Sequence, residues 1–536
     1  VTGGRAPQPG TVVLEGYKRY TGVATTSSAA STSGAVYADY DAFMNAADSI
    51  QGAALTALQA GGSDVTTNTL KVRAGVELVS NGDMTVDADW DLTNANWLRT
   101  GSSQSAGRLA LRVAGNIDVN ARLGLPDESA LPPDSGWTLE LAGGADTAAA
   151  DVLAVMPSTT AGDVVLNPGG KLTSSTGDIR IAAGRDVRAT TPASVVYTTG
   201  RAVALPIMAA DPALNKKYFA PASGVNFVDG GSISINAKRD VTGSGSYANV
   251  NDWLRRNTVV PGTTLNSSVS VARGYAYQPA YWWVDRLGNT TAKTKGIEGI
   301  ATLGGGNIAI TASNTISNLS VASATSRSAS TSATLVTVNG RNTIPSANTV
   351  YGGGDVRIDA GSDLLGGQYL IGRGRARFTA GGDIGGLNGV ADSATAPAFW
   401  LMGWSDDPAW RGAHVDVEAL GGVMLGSAAN PTITASPKNA GATVSNTRLG
   451  YRGTPSYFFS YAPEDTLSLT TVGGNLVIVP VTESARNILP PRFSAAALEG
   501  SVSSGTGRFD ASNALMAGGS NGLAQLPDSN GPFRLL

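Results

Sequence analysis

The sequence predicts an all-β chain wound as a parallel β-helix, a solenoid with loop excursions and one short α-helix near its N-terminal side. Three observations carry this. A strand-turn phrase returns along the chain, the strands between turns alternate apolar and polar residues, and the composition is rich in glycine and poor in charge. The phrase reads Gly177-Asp178-Ile179-Arg180-Ile181-Ala182-Ala183-Gly184, then Gly306-Asn307-Ile308-Ala309-Ile310-Thr311-Ala312, then Gly354-Asp355-Val356-Arg357-Ile358-Asp359-Ala360-Gly361. Weaker copies begin at Gly82, Gly115, Gly162, Gly231, Gly382 and Gly474. A strand-turn unit that recurs cannot bury its apolar face alone, and stacking its copies gives one continuous core.

A chain of 536 residues would ordinarily divide into several globular domains. A solenoid escapes that limit because each coil touches only its neighbours. There are 68 glycines, and 15% of residues are charged, against roughly 25% in an average domain. The polar surface is therefore mostly Ser, Thr, Asn and Gly, which suits flat β-faces and tight turns. Cysteine is absent, so there is no disulfide framework and no thiolate metal site. The net charge of −3 offers no footprint for nucleic acid. No run of about 18 apolar residues exists, so no membrane-spanning segment is expected. The chain opens on Val1-Thr2-Gly3-Gly4 with no signal peptide, as an internal piece of a longer precursor would.

Taken in order, residues 1–69 read as an irregular segment with one amphipathic helix at about 36–59. There Tyr37, Tyr40, Met44, Ala47, Ala54, Leu55 and Leu58 recur at helical spacing, and Gly61 and Gly62 end the pattern. It packs on the flank or end of the solenoid, or binds a partner. Residues 70–536 read as the β-helix. Alternation begins at Val76 and Leu78, continues through Met84 and Val86, and recurs at Leu109, Leu111 and Val113, then Trp137, Leu139 and Leu141. Excursions are expected at about 191–229, 244–300, 385–412 and 427–463, where prolines and aromatics break the rhythm. The Ser/Thr/Asn-rich stretch 313–348 reads as polar-faced strands or a loop. At roughly 20–25 residues per coil and about 4.8 Å between coils, the regular part gives on the order of 15 coils and a rod of about 70 Å. The last residues, Phe533-Arg534-Leu535-Leu536, begin a strand with no polar cap.

The recurring phrases at 177–187, 353–363 and 381–384 resemble those of the filamentous haemagglutinin family of large secreted exoproteins. The later segments Asp465-Thr466-Leu467-Ser468-Leu469-Thr470-Thr471-Val472-Gly473-Gly474-Asn475-Leu476 and Leu489-Pro490-Pro491-Arg492-Phe493 through Gly500, with 527–536, resemble a C-terminal region of one branch of that family. The likeness is best over about 160–190 and 350–536. It implies a right-handed parallel β-helix, two-partner secretion through an outer-membrane transporter, and a place on the bacterial cell surface in adhesion or surface filaments. The family's secretion domain has no match in this chain.

No catalytic residue, metal site or cofactor site is assigned from the sequence. Asp87, Asp89 and Asp91 share one face of a strand and would either hold a hard cation or form a solvated face. Asp406 and Asp407, beside Trp404 and Trp410, are the nearest approach to a glycosidase pair, but adjacent strand residues point to opposite faces. The single histidine, His414, opens a strand as a surface or edge residue. The Gly-rich run 371–375 lacks the strand-turn-helix context of a phosphate loop. The candidate binding residues are Tyr275, Tyr277, Tyr281, Trp282 and Trp283, with Tyr457, Phe458, Phe459 and Tyr461. Such rings stack on sugars and anchor protein interfaces, or they clamp a loop onto the rod. The expected function is a secreted structural or adhesive rod whose partners are cell-surface glycans or proteins. The alternative is a subunit of an assembled extracellular filament or layer, with copies of itself as partners. A polysaccharide-acting enzyme is a lesser alternative.

Overall fold

The structure is a computed structural model. It describes residues 11–126, 133, 135–203, 224–244, 299–329, 348–387, 396–401, 412–429, 464–479 and 492–504. Short pieces at 282–283, 290–291, 294–295, 335–338, 342–345, 489–490, 507–508 and 534–535 are also described. The chain forms a parallel β-helix with three long sheets. The first has thirteen strands, from Val12–Thr21 and Leu70–Ser80 to Arg534–Leu535. The second has twelve, starting at Met84–Val86, and the third has nine, starting at Trp90–Asp91. Each full coil contributes one strand to each sheet in turn. Thirteen strands at about 4.8 Å span about 58 Å, somewhat short of the length expected from sequence.

Alternation in the sequence becomes vertical stacking. One inward position of the first sheet runs in register through Leu78, Leu111, Leu141, Ile181, Ile235, Ile310, Ile358, Phe378, Val417, Leu469 and Ala495. All are buried in one continuous core. Each large aliphatic side chain hidden this way contributes about 1.5–3 kcal/mol. The order of magnitude explains why a chain with no disulfide holds a long shape.

The N-terminal region departs from expectation in two ways. Residues 12–21 are not irregular: they form the edge strand of the first sheet, paired parallel with Leu70–Ser80 over ten positions. The single expected helix is two, Ala35–Asn45 and Ala47–Ala60, parted at Ala46 (φ −87°, ψ 0°). A further turn, Ser27–Ala30, precedes them. Above Met84–Val86 the first coil supplies only an isolated bridge, Thr25 with Thr85. The helices take the place of the missing strands. Val36, Tyr40, Met44 and Ala47 are buried, and the first three join the same core as Val76, Trp90, Trp97 and Trp137. The Tyr40 hydroxyl donates to the Trp97 carbonyl at 2.5 Å and Trp137 Nε1 donates to it at 3.0 Å, locking this aromatic end.

The excursions are narrower than the sequence implied. Val195–Thr198, Ile300–Thr302, Ala398–Leu401 and Ser427–Ala429 fall within or at the limits of the four expected spans, yet all are strands of the third sheet. That sheet is buried on both faces, so its strands read as short apolar runs without alternation. The stretch 313–348 contains Ile316–Ser317 of the second sheet and Ser320–Ser323 of the third. Two antiparallel ladders follow, Thr325–Ala329 with Asn348–Gly352 and Leu335–Val338 with Asn342–Pro345.

Candidate binding surfaces

The returning Gly-Asp/Asn phrase marks the corners of the coil, and its chemistry is the same at each level. Before the first sheet, Asp178 Oδ1 accepts the Ser232 amide at 2.9 Å, Ser232 Oγ the Asn307 amide at 3.1 Å, Asn307 Oδ1 the Asp355 amide at 2.9 Å, and Asp355 Oδ1 the Arg375 amide at 2.9 Å. Before the second sheet a longer ladder runs from Asp83 through Asn116, Asp163, Asp186 and Asp240 to the Thr315 amide, each side-chain oxygen accepting an amide of the next coil. It resumes from Asp363 through Asp383 to Gly422. Corner amides cannot join a strand ladder, so a short oxygen acceptor from the neighbouring coil satisfies them. The glycines stack as well. A Cβ on Gly231 would lie 2.0 Å from the Gly177 carbonyl oxygen, and one on Gly354 would lie 2.0 Å from that of Gly306.

This regular corner, between the first and second sheets, is three or four residues long in every described coil but one. The exception is 144–163, which folds over the outer face of the first sheet. Beneath it Glu77 and Arg112 are 0% and 1% exposed, and Arg112 Nη1 donates to Glu77 Oε1 at 2.9 Å. The other Arg112 nitrogen donates to the carbonyls of Asp146 and Ala149, and Arg19 closes the network from outside. Burial works to raise the Glu77 carboxyl, but donors on Arg19, Tyr17 and Arg112 outweigh it and hold the group below its ordinary value. Asp163 follows the same logic. Burial is opposed by hydrogen bonds from Arg185 and the Asp186 amide and by the charges of Arg185 and Arg188, and the carboxyl ends below its ordinary value.

The rod has two unlike sides. Beyond residue 233 the outer face of the first sheet is polar and open, with Arg357, Arg377, Asp416 and Glu418 exposed and Arg377 paired to Glu418 at 2.9 Å. Near its far end the regular corner carries an apolar ridge. Leu420, Val472 and Leu498 directly follow strand ends held in register and are 61%, 37% and 68% exposed. The third sheet is the opposite case. Its outward row Tyr197, Ala301, Ala322, Leu370 and Trp400 is in register and buried. The strand Gly224–Val228 lies over this side, with Phe227 packed against Gly304. Trp400, expected in an excursion, is thus a wall residue, and among the described residues its Nε1 has no hydrogen-bond partner. A cavity of about 30 Å³ lies between the second and third sheets, lined by Val187, Val196, Val241, Ile300 and Leu319. It has room for about one water.

Of the candidate aromatics, Trp282–Trp283 forms a two-residue strand antiparallel to Gly224–Val228. Tyr275, Tyr277, Tyr281, Tyr457, Phe458, Phe459 and Tyr461 lie outside the described residues, as do Trp404, Asp406, Asp407 and Trp410. The three alternating aspartates are not gathered on a ligand. Asp87 accepts from Ser27, Asp89 from the Arg122 amide and guanidinium, and Asp91 from Thr93. Among the described residues no group of three His, Asp or Glu side chains is placed to hold a metal. His414 is not at a sheet edge: it lies on an inner strand between Arg375 and Thr466, with Nδ1 3.2 Å from Thr466 Oγ1. Among the described residues no helix is long and apolar enough to cross a membrane. The ridge at Leu420, Val472 and Leu498 escaped sequence reading, although the earlier copies carry Gly184, Gly361 and Gly381 at the equivalent corner. No family model, curated protein or solved structure matches this chain.

Proposed function

We propose that this chain is a secreted structural and adhesive rod of the bacterial cell surface, of the filamentous haemagglutinin type. In this reading it leaves the cell through an outer-membrane transporter and attaches to cell-surface glycans or proteins. The observation that supports it best is the division of the rod's surface. A ladder-bonded corner and two regular sheets supply stiffness, while most excursions depart beside the third sheet, the arrangement by which solenoids present binding loops on one side. Binding of the purified chain to cells and to a glycan array tests it. Replacing 204–223 and 430–463 by short turns abolishes binding and leaves the β-sheet circular dichroism intact; binding unchanged by both replacements refutes the adhesive role of the excursions.

The second reading, a subunit of an extracellular filament or layer, is favoured by the exposed ridge Leu420, Val472 and Leu498. Apolar groups stacked on consecutive coils are unusual on a free surface. Leu420→Asp with Leu498→Asp would then dissolve assemblies of the protein without lowering its melting temperature, and assemblies indifferent to both changes would remove the ridge from the interface.

A further inference from the structure

We propose that the chain cuts itself between Asn167 and Pro168, by attack of the Asn167 side-chain amide on its own main-chain carbonyl. This goes beyond the adhesive reading and does not depend on it.

The bond lies at the corner where the chain passes from Val164–Leu166 of the second sheet to Lys171–Ser174 of the third. Residues 167–170 form a tight turn. Proline stands at its second position, Gly169 takes φ +91° at its third, and the Gly170 amide donates to the Asn167 carbonyl at 2.8 Å. The turn sits hard against the coil before it. A Cβ on Gly169 would lie 2.9 Å from the Asn120 carbonyl oxygen, and one on Gly170 would lie 2.1 Å from that of Val119.

A nucleophile, a base and a pair of oxyanion donors meet at this turn. The nucleophile is Asn167 Nδ2, which donates to Asn120 Oδ1 at 2.8 Å and to Asp118 Oδ1 at 3.3 Å. An ionised carboxylate only accepts, so Asp118 fixes the nitrogen of the amide on that side and is placed to take its proton. The electrophile is the Asn167 carbonyl. Its oxygen accepts from two donors, the Gly170 amide and the Ser194 hydroxyl at 3.0 Å. Ser194 is 2% exposed, and Thr191 Oγ1, 3.0 Å away, supplies the hydrogen bond that its oxygen accepts. Two fixed donors on one carbonyl oxygen stabilise the charge of a tetrahedral intermediate. The next coil repeats the turn as Thr191-Pro192-Ala193-Ser194, with the Ser194 amide on the Thr191 carbonyl at 3.0 Å. Threonine has no side-chain nitrogen, so the chemistry is confined to Asn167.

The step balances without a further reactant. Nδ2 bonds to the Asn167 carbonyl carbon and gives a proton to Asp118. The bond from that carbon to the Pro168 nitrogen then breaks, and the nitrogen takes up a proton through solvent and leaves as a secondary amine. The products are 1–167, ending in a succinimide that water later opens, and 168–536, beginning at Pro168. Both stay in the rod. Val164–Leu166 remains paired with Ile117–Val119 and Val187–Ala189, and Lys171–Ser174 remains paired with Arg122–Gly124 and Val195–Thr198.

The full chain, purified and incubated folded or in urea, is followed by intact-mass spectrometry. The folded chain is expected to yield 168–536 and a form of 1–167 lighter by one water than the hydrolysed fragment, much faster than the unfolded chain. The cut chain is expected to elute as one particle in native buffer and to part only in denaturant. Ser194→Ala is expected to slow the cut about 100-fold, with β-sheet circular dichroism unchanged. Asp118→Asn is expected to slow it by about 100-fold as well. Asn167→Gln keeps the amide but requires a larger ring, and is expected to leave the chain whole. A folded parent that remains whole over several days overturns the proposal. So does cleavage no faster in the folded chain than in urea, or cleavage that persists in Asn167→Gln. If Ser194→Ala does not fold, the parent and Asn167→Gln still decide.

Discussion

Replacing Gly231 by alanine tests whether coil spacing is set by glycines packed on the carbonyls of the coil before. Gly231 does not occupy the left-handed region, so alanine meets no intrinsic backbone penalty there. What it meets is space. Its Cβ would stand 2.0 Å from the Gly177 oxygen, 2.4 Å from the Gly177 carbon and 3.0 Å from the Asp178 nitrogen. All three are backbone atoms, so no side chain can swing away, and the coils must part by about 1 Å or more. Overpacking of this kind costs about 1–3 kcal/mol. Parting the coils also stretches two hydrogen bonds, the Ser232 amide to Asp178 Oδ1 at 2.9 Å and the Ile179 amide to the Ser232 carbonyl at 2.9 Å. Partial loss of each, at about 1 kcal/mol for a full bond, brings the expected cost to about 2–4 kcal/mol. Solenoid stability is close to a sum over neighbouring coils, so the loss stays local. Native-state hydrogen exchange reads it directly: amides of Ile179–Ala183 and Ile233–Ala237 are expected to lose about 30- to 800-fold in protection, with Leu467 and Leu469 unchanged. Protection within twofold of the parent at Ile179–Ala183 would refute the spacing argument.

Other outcomes follow from the same reasoning. Gly52, inside the helix Ala47–Ala60, has nothing within 4 Å of its would-be Cβ, so Gly52→Ala is expected to stabilise the chain by up to about 1 kcal/mol in urea unfolding. Arg112→Ala removes one of three donors to Glu77 under the 144–163 loop, leaving Arg19 and Tyr17, and is expected to cost about 1.5–3 kcal/mol, while Arg112→Met with Glu77→Leu recovers most of it; equal losses in both would remove the ion pair as the cause. The Asp163 carboxyl is held below its ordinary value of 3.8, so its contribution is complete above that pH and is lost as pH falls through the lowered value. In Asp163→Asn the acid-induced loss of stability below about pH 4 is therefore expected to shrink, as followed by circular dichroism melts across pH 2–6.

The solenoid was legible because stacking forces every coil to repeat its corner. Gly177-Asp178, Gly306-Asn307 and Gly354-Asp355 stand at one such corner, where small size and a short oxygen acceptor are both required. The strand Val12–Thr21 was not legible. It has no Gly-Asp corner before it, and Lys18 interrupts the apolar side of its alternation because that side meets Asp39 and Phe43 of a helix rather than another sheet, while Glu15 and Arg19 lie on the other face against Arg73 and Glu77. The break at Ala46 was hidden for a different reason: alanine has no propensity to end a helix, so no local residue marks it. Tyr197 and Trp400 read as loop residues because both faces of the third sheet are covered, which erases the period of two. For the binding residues, sequence reasoning named exposed-looking aromatics, while the described surface adds the corner ridge of Leu420, Val472 and Leu498, whose meaning depends on coils stacking three deep.

Negative-stain electron microscopy of antibody-labelled cells bears most directly on the central claim. The account predicts label outside the cell on stiff, unbranched rods about 50 Å or more in length, as thirteen strands at about 4.8 Å require. Label confined to the cell interior, or flexible and compact particles without a rod, would contradict it.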